Sequence, residues 1–278
     1  CFTRESLLMI VADGMGGHLR GEVAAQITLQ TAAASFQQAA RPSIADPAGF
    51  LDLSLRRAHR EIQRYQEANS LPESPRTTVV ACVIQNGHSW WAHAGDSRLY
   101  WARDGQCLGR TEDHSKVQNL LNLGLIKPGE QENHPERNKV LNCLGSPFEP
   151  TIEISGAHVL ESGDRIMLCS DGVWSAMPDE VLSQSLCDGP VSTVIPSLVN
   201  RAVALEGASA DNATALAMHW ADDSGEEISS QMLPDGAVTT TIAVDLADDD
   251  VEVEDISEDE IEKTIREIRD AIEKTSGS

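Results

Sequence analysis

The run TTVVACVIQNGHSWWAHA, residues 77–94, decides the fold class. Thr77–Gln85 and Ser89–His93 are short stretches of β-branched, apolar and aromatic residues, and Asn86-Gly87 stands between them. Asn-Gly between two such runs signals a hairpin, because both residues accept the positive φ of a tight turn. A hairpin makes its strands antiparallel neighbours. The same reading extends outward. Leu99–Ala102 follows as a third strand before Asp104-Gly105, and Ile152–Val159 and Arg165–Cys169 flank the turn Ser162-Gly163-Asp164. Leu7–Ala12 reads as a buried strand near the start, and Ala213–Trp220 as the last strand. Glu22–Phe36 and Phe50–Gln66 form one pair of predicted helices, and Pro178–Leu186 and Val191–Leu205 another. Strands in consecutive runs and helices in pairs favour an α+β fold, a sandwich of antiparallel sheets flanked by helices, over a doubly wound parallel sheet.

The 278 residues are enough to bury a core, and 41% of them are apolar. The 44 acidic and 21 basic side chains give a formal charge of −23. That balance argues against nucleic-acid binding, which depends on neutralising phosphates with Lys and Arg, and against an anionic membrane surface. No apolar run approaches the roughly 20 residues of a membrane span. The charge is unevenly spread: residues 1–220 hold 25 acidic and 17 basic residues, residues 221–278 hold 19 and 4. Residues 1–220 are therefore expected to be the folded body, and residues 221–255 an acidic linker with one docked strand at Val238–Leu246. Residues 256–278 are expected to be an amphipathic helix. Ser257 and Glu260 make a capping box, and Ile261, Ile265, Ile268 and Ile272 lie on one face, against either the protein's own body or a helical partner.

The six cysteines form no C-x-x-C pair and read as small hydrophobes in a reducing compartment, which suggests a cytoplasmic protein. The chain starts at Cys1 and enters a strand within a few residues, so the natural N-terminus is expected to lie further upstream.

Three aspartates stand at the ends of predicted strands: Asp13 before Gly14, Asp171 before Gly172, and Asp211 before Asn212. Carboxylates gathered at strand ends make a hard-oxygen site suited to Mg²⁺ or Mn²⁺. Singly, each Asp-Gly is also an ordinary turn. No His or Cys spacing suggests structural zinc.

The run V-A-D-G-M-G-G-H at Val11–His18, continued by Gly21-Glu22, resembles the bacterial branch of the metal-dependent protein phosphatases, the type 2C serine/threonine phosphatases. Five further motifs follow in the family's order: R-T-T at Arg76–Thr78, A-G-D-S-R at Ala94–Arg98, E-D-H-S at Glu112–Ser115, L-C-S-D-G at Leu168–Gly172 and D-N-A-T at Asp211–Thr214. The resemblance implies a four-layer αββα sandwich of two central antiparallel sheets with helices outside. It implies two Mn²⁺ or Mg²⁺ ions, bridged by Asp13, with the Gly14 carbonyl on one and Asp171 and Asp211 on the other. Asp113 would hold a third ion. The ions would generate a hydroxide from water that attacks a phosphoserine or phosphothreonine, so no protein nucleophile is needed. A carboxylate cluster without its ions would repel itself and be less stable. The implied partners are phosphoproteins and an opposing Ser/Thr kinase.

His18 is a candidate for proton transfer, although Met15 takes the position directly after Asp-Gly where the family's animal members carry a histidine. Asp96 and Arg98 are expected to tie the core together, His114 and His134 to be structural or flap-surface residues, and Lys116–Arg137 to form a variable flap. The sequence departs from the family in two places. R-T-T replaces the usual G-T-T, and with twelve residues before Asp13 the family's upstream phosphate-binding arginine and N-E-D motif have no match, so an N-terminal strand is expected to be missing. A catalytically impaired phosphatase-like docking or regulatory protein is the alternative. An acidic calcium-binding protein is a third reading, weakened by the lack of an EF-hand loop.

Overall fold

In the computed structural model, which describes residues 1–16, 20–131, 134–206 and 212–221, the hairpin at Asn86-Gly87 forms as expected. Strands β2 (Thr77–Gln85) and β3 (His88–Ala94) pair antiparallel, and Asn86 and Gly87 have φ of 52° and 70°. Strand β1 (Ser6–Gly14) pairs with the other side of β2. Two-residue strands β6 (Glu153–Ile154) and β7 (His158–Val159) both pair with β3, completing a five-stranded sheet. The second sheet has the order β5-β4-β8-β9, with β4 (Arg98–Arg103), β5 (Gln106–Arg110), β8 (Arg165–Cys169) and β9 (Ala215–His219). Every pairing is antiparallel.

Side-chain alternation along the strands then builds the layers. Met9 and Val11 of β1, with Val80, Cys82 and Ile84 of β2, meet Leu99, Ile166 and Leu168 of the other sheet in one buried cluster. The opposite face of that other sheet, Tyr100, Ala102, Met167 and Cys169, packs against helices α4 (Asp171–Trp174), α5 (Asp179–Leu186) and α6 (Val191–Glu206). Helices α1 (Gly21–Ala39) and α2 (Pro47–Ala68) cover the outer face of the first sheet. The result is a helix–sheet–sheet–helix sandwich of the α+β class. Helix α2 starts where its sequence dictates: the Asp46 side chain accepts from the Gly49 N–H at 3.0 Å and Pro47 occupies the first turn.

Four elements differ from the sequence reading. Ile152–Val159 is not one strand, because the Ser155 hydroxyl accepts the Trp91 N–H at 2.9 Å, a side chain standing in for the carbonyl that a ladder would use. Residues 106–110 form strand β5 although Gln106, Cys107 and Leu108 are exposed, so no buried face marked it. Lys116–Arg137 is not all loop: it opens with helix α3 (Lys116–Asn122), capped by the Ser115 hydroxyl on the Gln118 N–H at 3.2 Å. The last strand is shorter than expected, at Ala215–His219. The acidic linker, Val238–Leu246 and residues 256–278 lie outside the described residues. None of the described helices is long and apolar enough to cross a membrane.

His59 of α2 is buried, and its Nδ1 accepts the Gly145 N–H at 3.1 Å, which requires a neutral ring. Burial lowers its pKa, and Arg60 and Arg56 add to this against an opposing pull from Glu149. An unfolded histidine takes up a proton as pH falls through about 6.5, while the folded one resists it. This contribution to stability is complete above the unfolded value and lost below it. In urea unfolding the parent should therefore lose more stability between about pH 7.5 and about 5.5 than His59→Asn does, whatever the other titrating groups add to both proteins.

Candidate active site

Strand β1 ends at Asp13-Gly14, opposite Thr78 and Thr77. The Thr77 hydroxyl donates to the Asp13 carbonyl at 2.8 Å, and the Met15 N–H donates to the Arg76 carbonyl at 3.0 Å. A Cβ at Gly14 would lie 2.4 Å from the carbonyl carbon of Gly21, the first residue of α1. Only glycine lets the strand end approach the helix start so closely.

Asp171 lies one residue beyond β8, as the first residue of α4. The buried Ser170 before it donates its N–H to the Thr214 carbonyl and its hydroxyl to the Asn212 carbonyl, both at 3.0 Å. A Cβ at Gly172 would stand 2.7 Å from the same Asn212 oxygen, so the segment that leaves Asp211 is held against the Asp171-Gly172 turn. Asp211 itself, and His18, lie outside the described residues.

Between these two ends stands Asp96, in the connection from β3 to β4, only 9% exposed. Burial, then the Asp171, Asp113 and Asp13 carboxylates, push its pKa up to about 7. Asp13 from the first sheet and Asp171 after the second are thus both within electrostatic reach of one buried carboxyl. Among the described residues the donors gathered here are carboxylate oxygens, partly or fully withdrawn from water, which fits hard divalent cations and not zinc or copper.

Asp113, expected at a third ion, makes a bidentate pair with Arg98, both contacts at 2.7 Å. A third cation there would have to replace Arg98 as its countercharge. Arg98 also reaches Asp179 at 3.1 Å and lies 3.5 Å over the Trp174 ring, whose Nε1–H donates to the Asp96 carbonyl at 2.8 Å. Truncating one side of so buried a pair generally costs about 3–5 kcal/mol.

His93, His114 and Glu153 offer three ligand-type atoms within 4.8 Å of one another. Hydrogen bonds and ring stacking tie them into a network. Asn142 is fixed by two bonds to Thr151, so its Nδ2 must donate to His114 Nδ1, at 2.7 Å. The neutral His114 ring therefore carries its proton on Nε2, which faces Glu153 at 3.3 Å. His93 donates Nε2–H to the Glu112 carbonyl at 2.7 Å, and its rings stack with those of His114. His134 lies in the 116–137 segment, with its Nδ1 accepting the Glu136 N–H at 3.1 Å.

The sequence motifs are joined in space by these contacts. Thr77 binds Asp13, Thr78 shares a 2.7 Å hydroxyl bond with Ser97, the His114 N–H donates to the Gly95 carbonyl at 2.9 Å, Trp174 binds Asp96, and Ser170 binds Asn212. Asp179, Trp174 and His93 were not singled out from sequence, since nothing in their spacing marks them as neighbours of Arg98 or His114.

Residues 2–194 match the protein phosphatase 2C family. The chain is 35% identical over 208 residues to the serine/threonine protein phosphatase PstP of Mycobacterium tuberculosis, covering 74% of this chain and 39% of PstP. It thus spans less than half the length of that relative. It is 31% identical over 181 residues to the serine/threonine phosphatase stp of Listeria monocytogenes, covering 64% of this chain and 71% of that one. A crystal structure of the PstP catalytic domain in complex with two manganese ions superposes with a TM-score of 0.64 and 30% identity, covering 77% of this chain and 88% of that structure. With the family match over most of its length and the motifs assembled at one end of two facing sheets, this chain belongs to the protein phosphatase 2C family.

Proposed function

We propose that this chain hydrolyses phosphoserine and phosphothreonine on proteins with the help of two divalent cations, Mn²⁺ or Mg²⁺, and opposes a Ser/Thr kinase in bacterial signalling. The observation that carries this reading is the convergence of Asp13 and Asp171 on the buried Asp96, in a donor set made only of oxygens. Asp13, the Gly14 carbonyl, Asp171 and Asp211 would hold the cations. When bound, the cations make water acidic at neutral pH and neutralise phosphoryl oxygens. The protein's own part is positional. Gly14 brings the β1 end against α1, and Ser170 fixes the Asp171 turn to the chain beyond Asp211. Trp174 holds the Asp96 backbone, and Arg98 neutralises Asp113 so that it does not add to the local repulsion. His18 remains a candidate for moving a proton to the leaving serine or threonine oxygen. We place the body of the protein at residues 1–220, and assign the acidic tail and the Ile-striped 256–278 segment to docking. The free thiols among the described residues suit a reducing, cytoplasmic setting.

Hydrolysis of a phosphothreonine peptide should require Mn²⁺, stop in excess chelator, and fall by about a hundredfold or more in Asp171→Asn. Equal turnover with chelator would overturn the mechanism. In thermal unfolding near neutral pH, Mn²⁺ at about a hundred times its Kd should add about 2.7 kcal/mol of stability. Asp171→Asn should lose most of this gain. Removing residues 256–278 should leave hydrolysis of p-nitrophenyl phosphate unchanged; a collapse of that activity would place the tail in the catalytic body.

A further inference from the structure

Arg76 stands where the family usually has glycine, and the structure gives it a position that no ordinary surface arginine needs. It immediately precedes β2, and its carbonyl accepts the N–H of Met15, next to the Asp13-Gly14 pair. Its backbone is held on the other side as well: Thr77 exchanges two hydrogen bonds with Leu144, at 3.2 and 3.0 Å, and Gly145 closes on the Pro75 carbonyl. The side chain is only partly exposed, and its Nε is fully buried with no hydrogen-bond partner. Among the described residues no carboxylate forms an ion pair with the guanidinium. Every other half-buried arginine in the region is satisfied: Arg98 by Asp113 and Asp179, Arg110 by Asp179.

The bond from the Met15 N–H to the Arg76 carbonyl, and that from the neighbouring Thr77 hydroxyl to the Asp13 carbonyl, set this residue beside the Asp13-Gly14 turn. Arg76 and the carboxylate cluster therefore border the same small region. A cation partly withdrawn from water costs free energy unless an anion meets it. Here the fold brings the cation to the rim of the site and leaves its buried Nε without a hydrogen-bond partner.

We propose that Arg76 is a substrate-binding residue that donates hydrogen bonds to the phosphate group of the phosphoserine or phosphothreonine substrate. The proposal rests on the phosphatase reading above. A phosphate monoester supplies the oxygens that the planar guanidinium fork is shaped to meet in pairs. The rigid backbone around Pro75–Thr77 fixes the base of the side chain, so little ordering is left to be done on binding.

Arg76→Gln keeps the polar stem and removes the charge. In the Mn²⁺-loaded enzyme it should raise KM for the phosphothreonine peptide, and the inhibition constant of inorganic phosphate, by about tenfold or more, with kcat within about threefold. The Mn²⁺-induced rise in melting temperature should be unchanged, and Arg76→Lys should restore part of the affinity. A purely structural role would instead lower the melting temperature and leave the phosphate constant alone. Both constants staying within about twofold of the parent in Arg76→Gln would overturn the proposal while leaving the phosphatase assignment intact. If the parent itself showed no Mn²⁺-dependent turnover, that assignment would fall. Calorimetric titration of inorganic phosphate into the Mn²⁺-loaded parent and Arg76→Gln proteins would then still decide whether Arg76 binds the anion.

Discussion

Carboxylates crowded out of water repel one another, and most of what is distinctive in this structure follows from holding them there regardless. Asp96 shows the constraint directly: buried to 9% exposure and facing Asp171, Asp113 and Asp13, it keeps its proton up to about pH 7. A protein can relieve such a cluster by protonation, by its own cations or by ions from solution. Arg98 relieves Asp113 alone. It is bound by both oxygens of that side chain, shared with Asp179 and stacked on Trp174, so it is not free to serve the others. Asp96 meets the same constraint by holding its proton.

The two-sheet architecture explains how acids so distant in sequence meet. Asp13 closes a strand of one sheet, Asp171 follows a strand of the other, and Asp96 sits in the connection that passes from the first sheet to the second. Because Met9, Val11, Val80 and Cys82 pack face to face with Leu99, Ile166 and Leu168, the two strand ends are fixed at the same edge of the sandwich. Apolar packing therefore supplies the free energy that the acidic edge consumes. The hydroxyl and indole contacts at Thr77, Thr78, Ser170 and Trp174 set its geometry.

Much of this was legible in the sequence because it is local. Asn86-Gly87 announces a hairpin, Asp13-Gly14 and Asp171-Gly172 each follow an apolar strand, and the paired helices sit outside the strand runs. What escaped is non-local or masked by exposure. Ser155 breaks a strand only because it meets Trp91, 64 residues away. Strand β5 has no buried stripe to give it away. That Arg98 chooses Asp113 and Asp179 is set by the second sheet and α5, and no spacing rule reaches that far. Helix α3 is the exception: a serine at Ser115 just before Lys116 is a local N-cap signal, and its hydroxyl caps the Gln118 N–H.

The charge arithmetic also orders events at the site. A phosphate monoester is itself doubly negative, and the edge of the sandwich presents it with Asp13, Asp96 and Asp171. One guanidinium at Arg76 is a single positive charge against several negative ones, too little to reverse the local field. On the proposed function, the cations would therefore have to occupy the cluster before a substrate phosphate could approach. Arg76 would then act in a field that the cations had neutralised, refining where the phosphate sits and not deciding whether it comes. The acidic composition of the chain, −23 overall, would sharpen this order, since its long-range field repels an anion that no cation has yet met.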